Sequence, residues 1–437
     1  MEYRRHVLVI LGCAPNPKGA CLCEESVVAM HTSGPATAVI LSAVRTPVGR
    51  LGGTLSQVSA RDLGATVVRA AVQRAQLPDL AAVDEVLLGN VVSAGLGQNI
   101  ARQCAVDGGL PTSVGATTVN KVCGASLKAV TLAAQAIRAG DGQLFVAGGV
   151  ESMSQAPHLV QGRLSQLRYG HVELRDALLV DGLSCPFEDW AMGHAAEFIA
   201  EVYGLTREAL DRFALASHQR AIAAIDTGKF KDEIVPVSVK GAHGRLTVVT
   251  TDEAPRRDTS FEALTRLKPA FSPQGRVTAG NAPGLNDAAA ALVIASASKA
   301  RELGVRPLAR IVGYAQAAVE PKYIFDAPAK AIPRLLDKLG WGLADVDLIE
   351  LNEAFGAQML ANGAAMAGLG WDWGKVNVHG GAIALGHPLG ATGARLLTTL
   401  LHALKDRHLT RGIACLCLGG GEAVALAVEM IHEGSAS

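Results

Sequence analysis

The sequence predicts an α/β enzyme made of two similar halves, with an inserted segment between them. Three observations predict this fold: strand-like segments alternate with helix-like segments, one pattern recurs at a constant spacing, and glycine is abundant while charge is scarce. Glycine contributes 48 of 437 residues, charged residues are only 18%, and mean hydropathy is +0.26, so much of the chain must lie in the interior. Strands that alternate with helices are typical of a parallel sheet covered by helices on both faces.

The first half opens with a short apolar run that predicts a buried strand at 38–41. Segments of helical periodicity and further apolar runs follow it, and the last of these runs ends at a pair of glycines. The other predicted elements of this half are helices over 62–75 and 126–139 and strands over 85–88 and 144–147.

The second half repeats this order. The pattern LAAVD at 80–84 returns as LADVD at 343–347, an offset of 343 − 80 = 263 residues. Cys123 and His387 each stand at the start of a helix of small residues that leads to a strand, with an offset of 387 − 123 = 264. The matching offsets indicate a duplicated unit, and if the copies pair about a pseudo-twofold axis, the two helix starts should meet at its centre. The second copy then holds a helix at 329–339 and strands at 349–351 and 413–418.

This repeat divides the chain into four parts. Residues 1–36 precede the first half and form an N-terminal extension that we expect to be disordered; a signal peptide ending near Cys13 and a later start at Met30 are the alternatives. Residues 153–281 lack the repeat and form an inserted loop domain over the sheet edge, where ligands bind in such folds. The two halves are 37–152 with 282–305, and 306–437.

Composition argues against several classes of function. Lys and Arg total 40 and so do Asp and Glu, and this zero net charge argues against a nucleic-acid binder. No apolar run reaches the roughly 18 residues of a membrane helix, so we expect a cytoplasmic protein with no membrane partner. Eight cysteines in so long a chain do not make a disulfide scaffold, and its two C-x-C pairs are too tight for a common zinc site.

Cys123 is the first candidate for catalysis. It stands in the segment VNKVCGAS at 119–126, where a helix is predicted to begin. A helix N-terminus stabilises a thiolate and lowers the pKa of the thiol, and its free backbone N–H groups can hold an oxyanion. The alternative is a small cysteine buried in the core.

Three further residues are candidates for the same chemistry. His387 lies in a glycine-rich turn at the repeat position of Cys123 and can take its proton; the alternative is a hydrogen-bonded loop histidine. Cys417 ends an apolar strand before three glycines, and a metal site shared with Cys415 is its alternative. Asn352 ends another strand, where it can orient a water or an oxyanion unless it only forms an Asx turn.

Five segments in one order resemble the motifs of the thiolase family, and the resemblance runs from about Thr37 to Glu429. It implies a thiolase-like fold with a layered α/β/α/β/α architecture and an inserted loop domain that binds CoA. It also implies Claisen condensation of two acetyl-CoA to acetoacetyl-CoA and CoA, or the reverse thiolysis, in a homotetramer built as a dimer of dimers. The five segments are VNKVCGASLKAV at 119–130, GGVESMS at 148–154, NEAF at 352–355, GGAIALGHPLGATGAR at 380–395 and CLGGG at 417–421.

The resemblance implies a role for each candidate. The residue matching Cys123 becomes acylated, the one matching His387 activates that thiol, and the one matching Cys417 moves the α-proton of the second acetyl-CoA. One oxyanion hole uses His387 and a water held by Asn352; the other uses the backbone N–H groups of Cys123 and Gly419. Because the thioester and the CoA thiol carry the chemistry, neither a cofactor nor a metal is expected. The expected CoA contacts are Met192, Ala282 and Phe355.

The sequence also departs from the family pattern. In GNAPG at 280–284, Pro283 cannot donate the hydrogen bond that a serine there would give to pantetheine. Ala191 replaces a common histidine, Ala125 stands where a serine is usual, and Glu422 stands where a glutamine is common. None of these departures removes a catalytic atom.

Other functions remain open from the sequence. A 3-ketoacyl-CoA thiolase of β-oxidation would act on longer chains, whereas the context of Lys121 and the long insertion favour the short-chain type. A ketoacyl synthase would carry a second histidine where Asn352 stands, and a CoA-binding protein without turnover would lack one of the four catalytic residues.

Overall fold

The computed structural model describes residues 36–160, 162, 170–241 and 244–432. The predicted disorder of the N-terminal extension therefore falls outside the described residues, apart from residue 36, and the four-part division of the chain stays a prediction.

The described residues form eleven α-helices, three of which match the helices predicted at 62–75, 126–139 and 329–339. In chain order they are α1 (Ala60–Arg74), α2 (Ile100–Asp107), α3 (Ala125–Ala139), α4 (Met192–Val202), α5 (Arg207–Asp226), α6 (Phe261–Thr265), α7 (Ala297–Glu302), α8 (Pro328–Leu339), α9 (Gly356–Ala365), α10 (Ala382–Leu385) and α11 (Leu389–Asp406). None of them combines the length and the apolar character that crossing a membrane requires.

The strands are β1 (Ala38–Arg45), β2 (Gly49–Arg50), β3 (Glu85–Gly89), β4 (Gly115–Val119), β5 (Leu144–Ser152), β6 (His158–Val160), β7 (Leu174–Asp176), β8 (Ser184–Cys185), β9 (Trp190–Ala191), β10 (Val237–Lys240), β11 (Leu246–Val249), β12 (Asn286–Ser296), β13 (Ala309–Ala318), β14 (Leu348–Leu351), β15 (Arg411–Leu418) and β16 (Glu422–Met430). The first half contributes the strand order β4-β3-β5-β12-β1, and the second contributes β13-β16-β15-β14. Among the described residues, the two sets are joined where Val39 and Ile40 of β1 pair with Arg310 and Ala309 of β13.

The prediction of a parallel sheet is right for part of these strands and wrong for the rest. Strands β3 and β4, β3 and β5, and β14 and β15 are parallel, whereas the pairs that involve β1, β12, β13 and β16 are antiparallel. Only the residues 419–421 separate β15 from β16, and so short a connection permits only an antiparallel return.

The layers confirm the predicted α/β/α/β/α architecture. Helices α3 and α11 pack against each other between the strands of the two halves, α1 covers the outer face of the first set, and α8 covers the outer face of the second. The inserted segment contributes α4 and α5, which pack on α9 of the second half.

The glycine pair that was expected to end a strand lies within one. Strand β5 continues through Gly148 and Gly149 to Ser152. An added Cβ on Gly148 would lie 2.0 Å from the carbonyl oxygen of Ala290, and one on Gly149 would lie 2.1 Å from that of Gly390. These glycines therefore permit close packing inside the molecule instead of forming a turn.

The two equivalent helix starts meet, as the repeat predicted. The backbone N–H of Ala394 in α11 donates to the hydroxyl of Ser126 in α3 at 2.9 Å. Close approach of the helices requires Gly393, because an added Cβ there would lie 2.7 Å from both the Cβ and the backbone nitrogen of Leu127.

Gly393→Ala should therefore destabilise the protein, although alanine is intrinsically the better helix former. We expect a loss of about 1–3 kcal/mol in the free energy of unfolding, because the new methyl group overpacks a backbone contact that cannot shift easily. Urea unfolding at fixed protein concentration measures it. Gly368→Ala is the matched control, since nothing lies within 4 Å of the added Cβ there. Equal stability of the two variants would contradict this account of the helix contact.

Candidate active site

One cavity of about 580 Å³ collects most of the residues that the sequence singled out. It opens between the starts of α3 and α11, the end of β15 and the inserted segment. Asn352 is the exception, because it does not line the cavity and lies buried behind His387. The sequence-predicted residues that line it are Cys123, Met192, Ala282, Phe355, His387, Cys417 and Gly419.

Cys123 lies two residues before α3, next to a strained residue. Val122 has a φ of +46°, an uncommon conformation for a β-branched side chain, and its N–H donates to Asn120 Oδ1 at 3.0 Å. The pKa of Cys123 was expected to be lowered by the helix N-terminus, and that expectation is wrong. Burial raises the pKa of this thiol to about 12, although the backbone N–H groups of Gly419 and Cys123 oppose the shift. The thiol is thus protonated at neutral pH and needs a base.

His387 is arranged to be that base. Its Nδ1 lies 2.8 Å from the hydroxyl oxygen of Thr392, and this hydroxyl donates to the carbonyl oxygen of Pro388 at 2.9 Å. Because the Thr392 hydroxyl already donates its proton to Pro388, its oxygen can only accept a hydrogen bond from Nδ1 of His387. The imidazole proton therefore lies on Nδ1, and Nε2 keeps a lone pair. Burial, with a smaller contribution from the nearby Arg395 cation, lowers the pKa of His387 to about 3. The imidazole is therefore neutral at physiological pH.

Asn352 follows β14 and faces the histidine. Its Nδ2 lies 3.5 Å from Nε2 of His387, and its backbone N–H donates to the carbonyl oxygen of Cys415 at 3.0 Å. Its Oδ1 is buried and accepts no hydrogen bond from the described residues. The Asx-turn alternative requires such a bond and is therefore wrong.

Cys417 and Cys415 occupy the same strand but different surroundings. Cys417 lines the cavity, whereas Cys415 packs in an apolar cluster with Ile349 and Leu351. Burial raises the pKa of Cys417 well above its ordinary value, and the nearby thiols of Cys123 and Cys415 raise it further. Within the described part of the chain, no cluster of three or more His, Cys, Asp or Glu side chains could hold a metal ion.

A buried glutamate that sequence reasoning missed joins the start of α11 to the first half. Glu151 accepts hydrogen bonds from the backbone N–H groups of Gly390 at 2.8 Å and of Val91 and Val92 at 3.1 Å. Burial raises the pKa of Glu151 to about 7, although these three hydrogen bonds act to lower it. An acidic residue inside a buried, glycine-rich strand was the signal that could have identified it.

A second missed glutamate holds the turn that precedes His387. Glu353 accepts from the Ser217 hydroxyl at 2.6 Å, from Asn377 Nδ2 at 3.0 Å and from the Ile383 backbone N–H at 3.1 Å. An added Cβ on Gly381 would lie 2.2 Å from its carboxyl carbon. The glutamate of NEAF thus fixes the glycine-rich segment that leads to the histidine.

Comparison with known proteins agrees with this geometry. Residues 38–298 match the family described as thiolase, N-terminal domain, and residues 305–430 match thiolase, C-terminal domain. An acetyl-CoA acetyltransferase of Pseudomonas aeruginosa is 53% identical over 89% of this chain and 98% of its own length. One from Cupriavidus necator is 51% identical over 90% of this chain and 98% of its own length. The crystal structure of the Bacillus anthracis acetyl-CoA acetyltransferase covers 91% of this chain and 100% of its own, with a TM-score of 0.88 and 44% identity.

Thr392→Val should reduce the reactivity of Cys123, because it removes the acceptor that holds the proton on Nδ1 of His387. We expect alkylation of Cys123 by iodoacetamide at pH 7 to slow by about 10- to 100-fold, by analogy with the loss of the group that orients a metal-bound histidine. Peptide mass spectrometry of timed samples measures it. Thr392→Ser keeps the hydroxyl and should stay within a few-fold of wild type. Equal rates in both variants would mean that Thr392 does not set the tautomer.

Proposed function

This chain belongs to the thiolase family, and from that membership we propose that it condenses two acetyl-CoA molecules to acetoacetyl-CoA and CoA and catalyses the reverse thiolysis. The observation that carries the proposal is the single cavity in which two thiols and a neutral imidazole meet. Acetyl as the transferred group is supported by the relatives named acetyl-CoA acetyltransferase, which are 53% and 51% identical to this chain over 98% of their own length.

The first half-reaction takes place at Cys123. His387 Nε2 accepts the thiol proton, and the sulfur attacks the carbonyl carbon of acetyl-CoA. The backbone N–H groups of Cys123 and Gly419 stabilise the oxyanion that forms. When the intermediate collapses, the carbon–sulfur bond to CoA breaks and the departing CoA sulfur takes a proton from Cys417. The acetyl group is then on Cys123, His387 is an imidazolium, and Cys417 is a thiolate.

The second half-reaction uses this charge distribution. The Cys417 thiolate removes a proton from the methyl group of a second acetyl-CoA, and the resulting enolate oxygen is stabilised by His387 and by a water held by Asn352. The enolate carbon attacks the acetyl group on Cys123, and the carbon–sulfur bond to the enzyme breaks. The released Cys123 sulfur recovers its proton from His387, so every group returns to its starting state.

Substrate binding is assigned to the apolar wall of the cavity. Met192, Ala282 and Phe355 are proposed to contact the pantetheine arm. Pro283 also lines the cavity, but it has no N–H, so its contact with that arm is apolar only.

Several expectations from the sequence stay predictions. They are the homotetramer formed as a dimer of dimers, the cytoplasmic location, and the independence of the reaction from any cofactor or metal.

Thiolysis of 3-ketoacyl-CoA substrates of increasing chain length tests the proposed function. Acetoacetyl-CoA should have the highest kcat/KM, and longer substrates should fall by at least about tenfold, since each misfitted methylene costs on the order of 1 kcal/mol or more. The loss of the magnesium-enolate absorbance follows the reaction for acetoacetyl-CoA, and released acyl-CoA is quantified for all. A kcat/KM that rises with chain length would favour the β-oxidation thiolase, and no turnover of any substrate would refute both.

Cys417→Ala should separate the two half-reactions. Acetyl-CoA should still acetylate Cys123, because CoA can leave as a thiolate, although more slowly than in wild type since Cys417 no longer protonates the departing sulfur. Exchange of deuterium into the acetyl methyl group should fall further, by about 10²–10⁴-fold, the contribution of a positioned acid or base. Cys415→Ala is the matched control on the same strand and should leave exchange nearly unchanged. Peptide mass spectrometry locates the acetyl group, and isotope analysis of recovered acetyl-CoA measures exchange. If Cys415→Ala abolishes exchange and Cys417→Ala retains it, the base has been assigned to the wrong cysteine.

A further inference from the structure

An ion pair joins the two loops that carry the reactive sulfur and the oxyanion N–H. Lys121 Nζ lies 2.5 Å from Glu422 Oε2, and the two residues are 301 positions apart. The Lys121 side chain is 19% exposed and that of Glu422 is 38% exposed, so the pair is partly shielded from water.

Each partner lies next to backbone in a left-handed conformation. Lys121 immediately precedes Val122, whose φ is +46°, and Glu422 immediately follows Gly421, whose φ is +88°. Such a conformation is strained for a β-branched residue and persists only where surrounding contacts impose it. The ion pair is such a contact, because it ties the residue before the strained position to the opposite loop.

The same two loops meet where the chemistry takes place. An added Cβ on Gly419 would lie 3.1 Å from Val122 Cγ1, so the loops are in van der Waals contact at this point. The Gly419 N–H also favours the thiolate of Cys123. A small separation of the loops would therefore move the sulfur away from the N–H that stabilises its negative charge.

A third charged residue, Lys128, lies close enough to Lys121 and Glu422 to interact with both. Lys128, one turn into α3, has its pKa lowered by burial and by the like charge of Lys121, while Glu422 acts in the opposite direction. If Glu422 loses its charge, two neighbouring lysines are left to repel each other beside the Cys123 loop. Neutralising Glu422 should thus remove the attraction between the two loops and also leave Lys121 repelled by Lys128, which disturbs the loop that carries Cys123.

We propose that the Lys121–Glu422 ion pair is a positioning device that holds the Cys123 sulfur against the Gly419 N–H and so sets the rate of every step at that sulfur. The inference rests on the proposed function only where it predicts a change in the rate of acetyl transfer. The positioning itself is a property of the free protein and can be measured without a CoA thioester.

Alkylation of Cys123 by iodoacetamide across pH 6–10 tests the proposal. Glu422→Gln and Lys121→Met should each slow alkylation at pH 8 by about 5- to 30-fold, within the range of coupling between directly paired groups. They should also shift the pH profile of the reaction to higher pH. The exchanged pair, Lys121→Glu with Glu422→Lys, should recover most of the wild-type rate. Lys229→Met is the control, since it breaks the exposed Lys229–Asp406 pair at 2.7 Å away from the cavity.

The outcomes separate this inference from a purely structural role and from the proposed function. If the single variants lose thermal stability but keep the wild-type alkylation profile, the ion pair only stabilises the fold and the proposal is wrong. If the exchanged pair is no faster than the single variants, charge pairing is not the cause. If alkylation changes as expected but the wild-type protein transfers no acetyl group, the proposed function fails and the positioning role stands. If alkylation changes as expected and the wild-type protein does transfer acetyl groups, acetylation of Cys123 by acetyl-CoA should slow in the single variants by the same ratio as alkylation.

Discussion

The close contact between the starts of α3 and α11 is the constraint on which the rest of the structure depends. Gly149 allows the backbone of Gly390 to approach so closely that an added Cβ would lie 2.1 Å from its carbonyl oxygen. The N–H of the same Gly390 donates to Glu151 at 2.8 Å, which fixes the first turn of α11 on the first half. Because Cys123 and His387 stand just before these two helices, the contact brings both side chains into one cavity.

Burial then determines the charge state of these groups. It raises the pKa of Cys123 to about 12 and lowers that of His387 to about 3, so the two meet as a thiol and a neutral imidazole. Their reactivity consequently depends on geometry: the proton held on Nδ1 by Thr392 and the N–H of Gly419 near the sulfur. A preorganised polar environment of this kind does not require a permanently charged nucleophile.

The two halves have equivalent positions whose side chains have different roles. Asn90 and Asn352 both follow a buried strand at matching places in the two halves. Asn90 Nδ2 donates to Glu151 and to the carbonyl oxygen of Val150, and so stabilises the first half, whereas Asn352 faces His387. The two halves thus have similar backbones, but side chains at equivalent positions have different roles at the reactive centre.

The sequence by itself determined some of the helices and strands, the duplication and the identity of the candidate residues, because periodicity, glycine placement and motif spacing are local properties of the chain. Strands such as β12, β13 and β16 were not predicted. Only the tertiary structure decided which strand pairs are antiparallel, that Asn352 lies behind His387, and that burial outweighs the helix N-terminus at Cys123. It also revealed contacts such as Glu151 with Gly390, 239 positions apart, and Lys121 with Glu422, 301 positions apart. These features depend on what surrounds each atom after folding, and the surroundings come from distant parts of the chain.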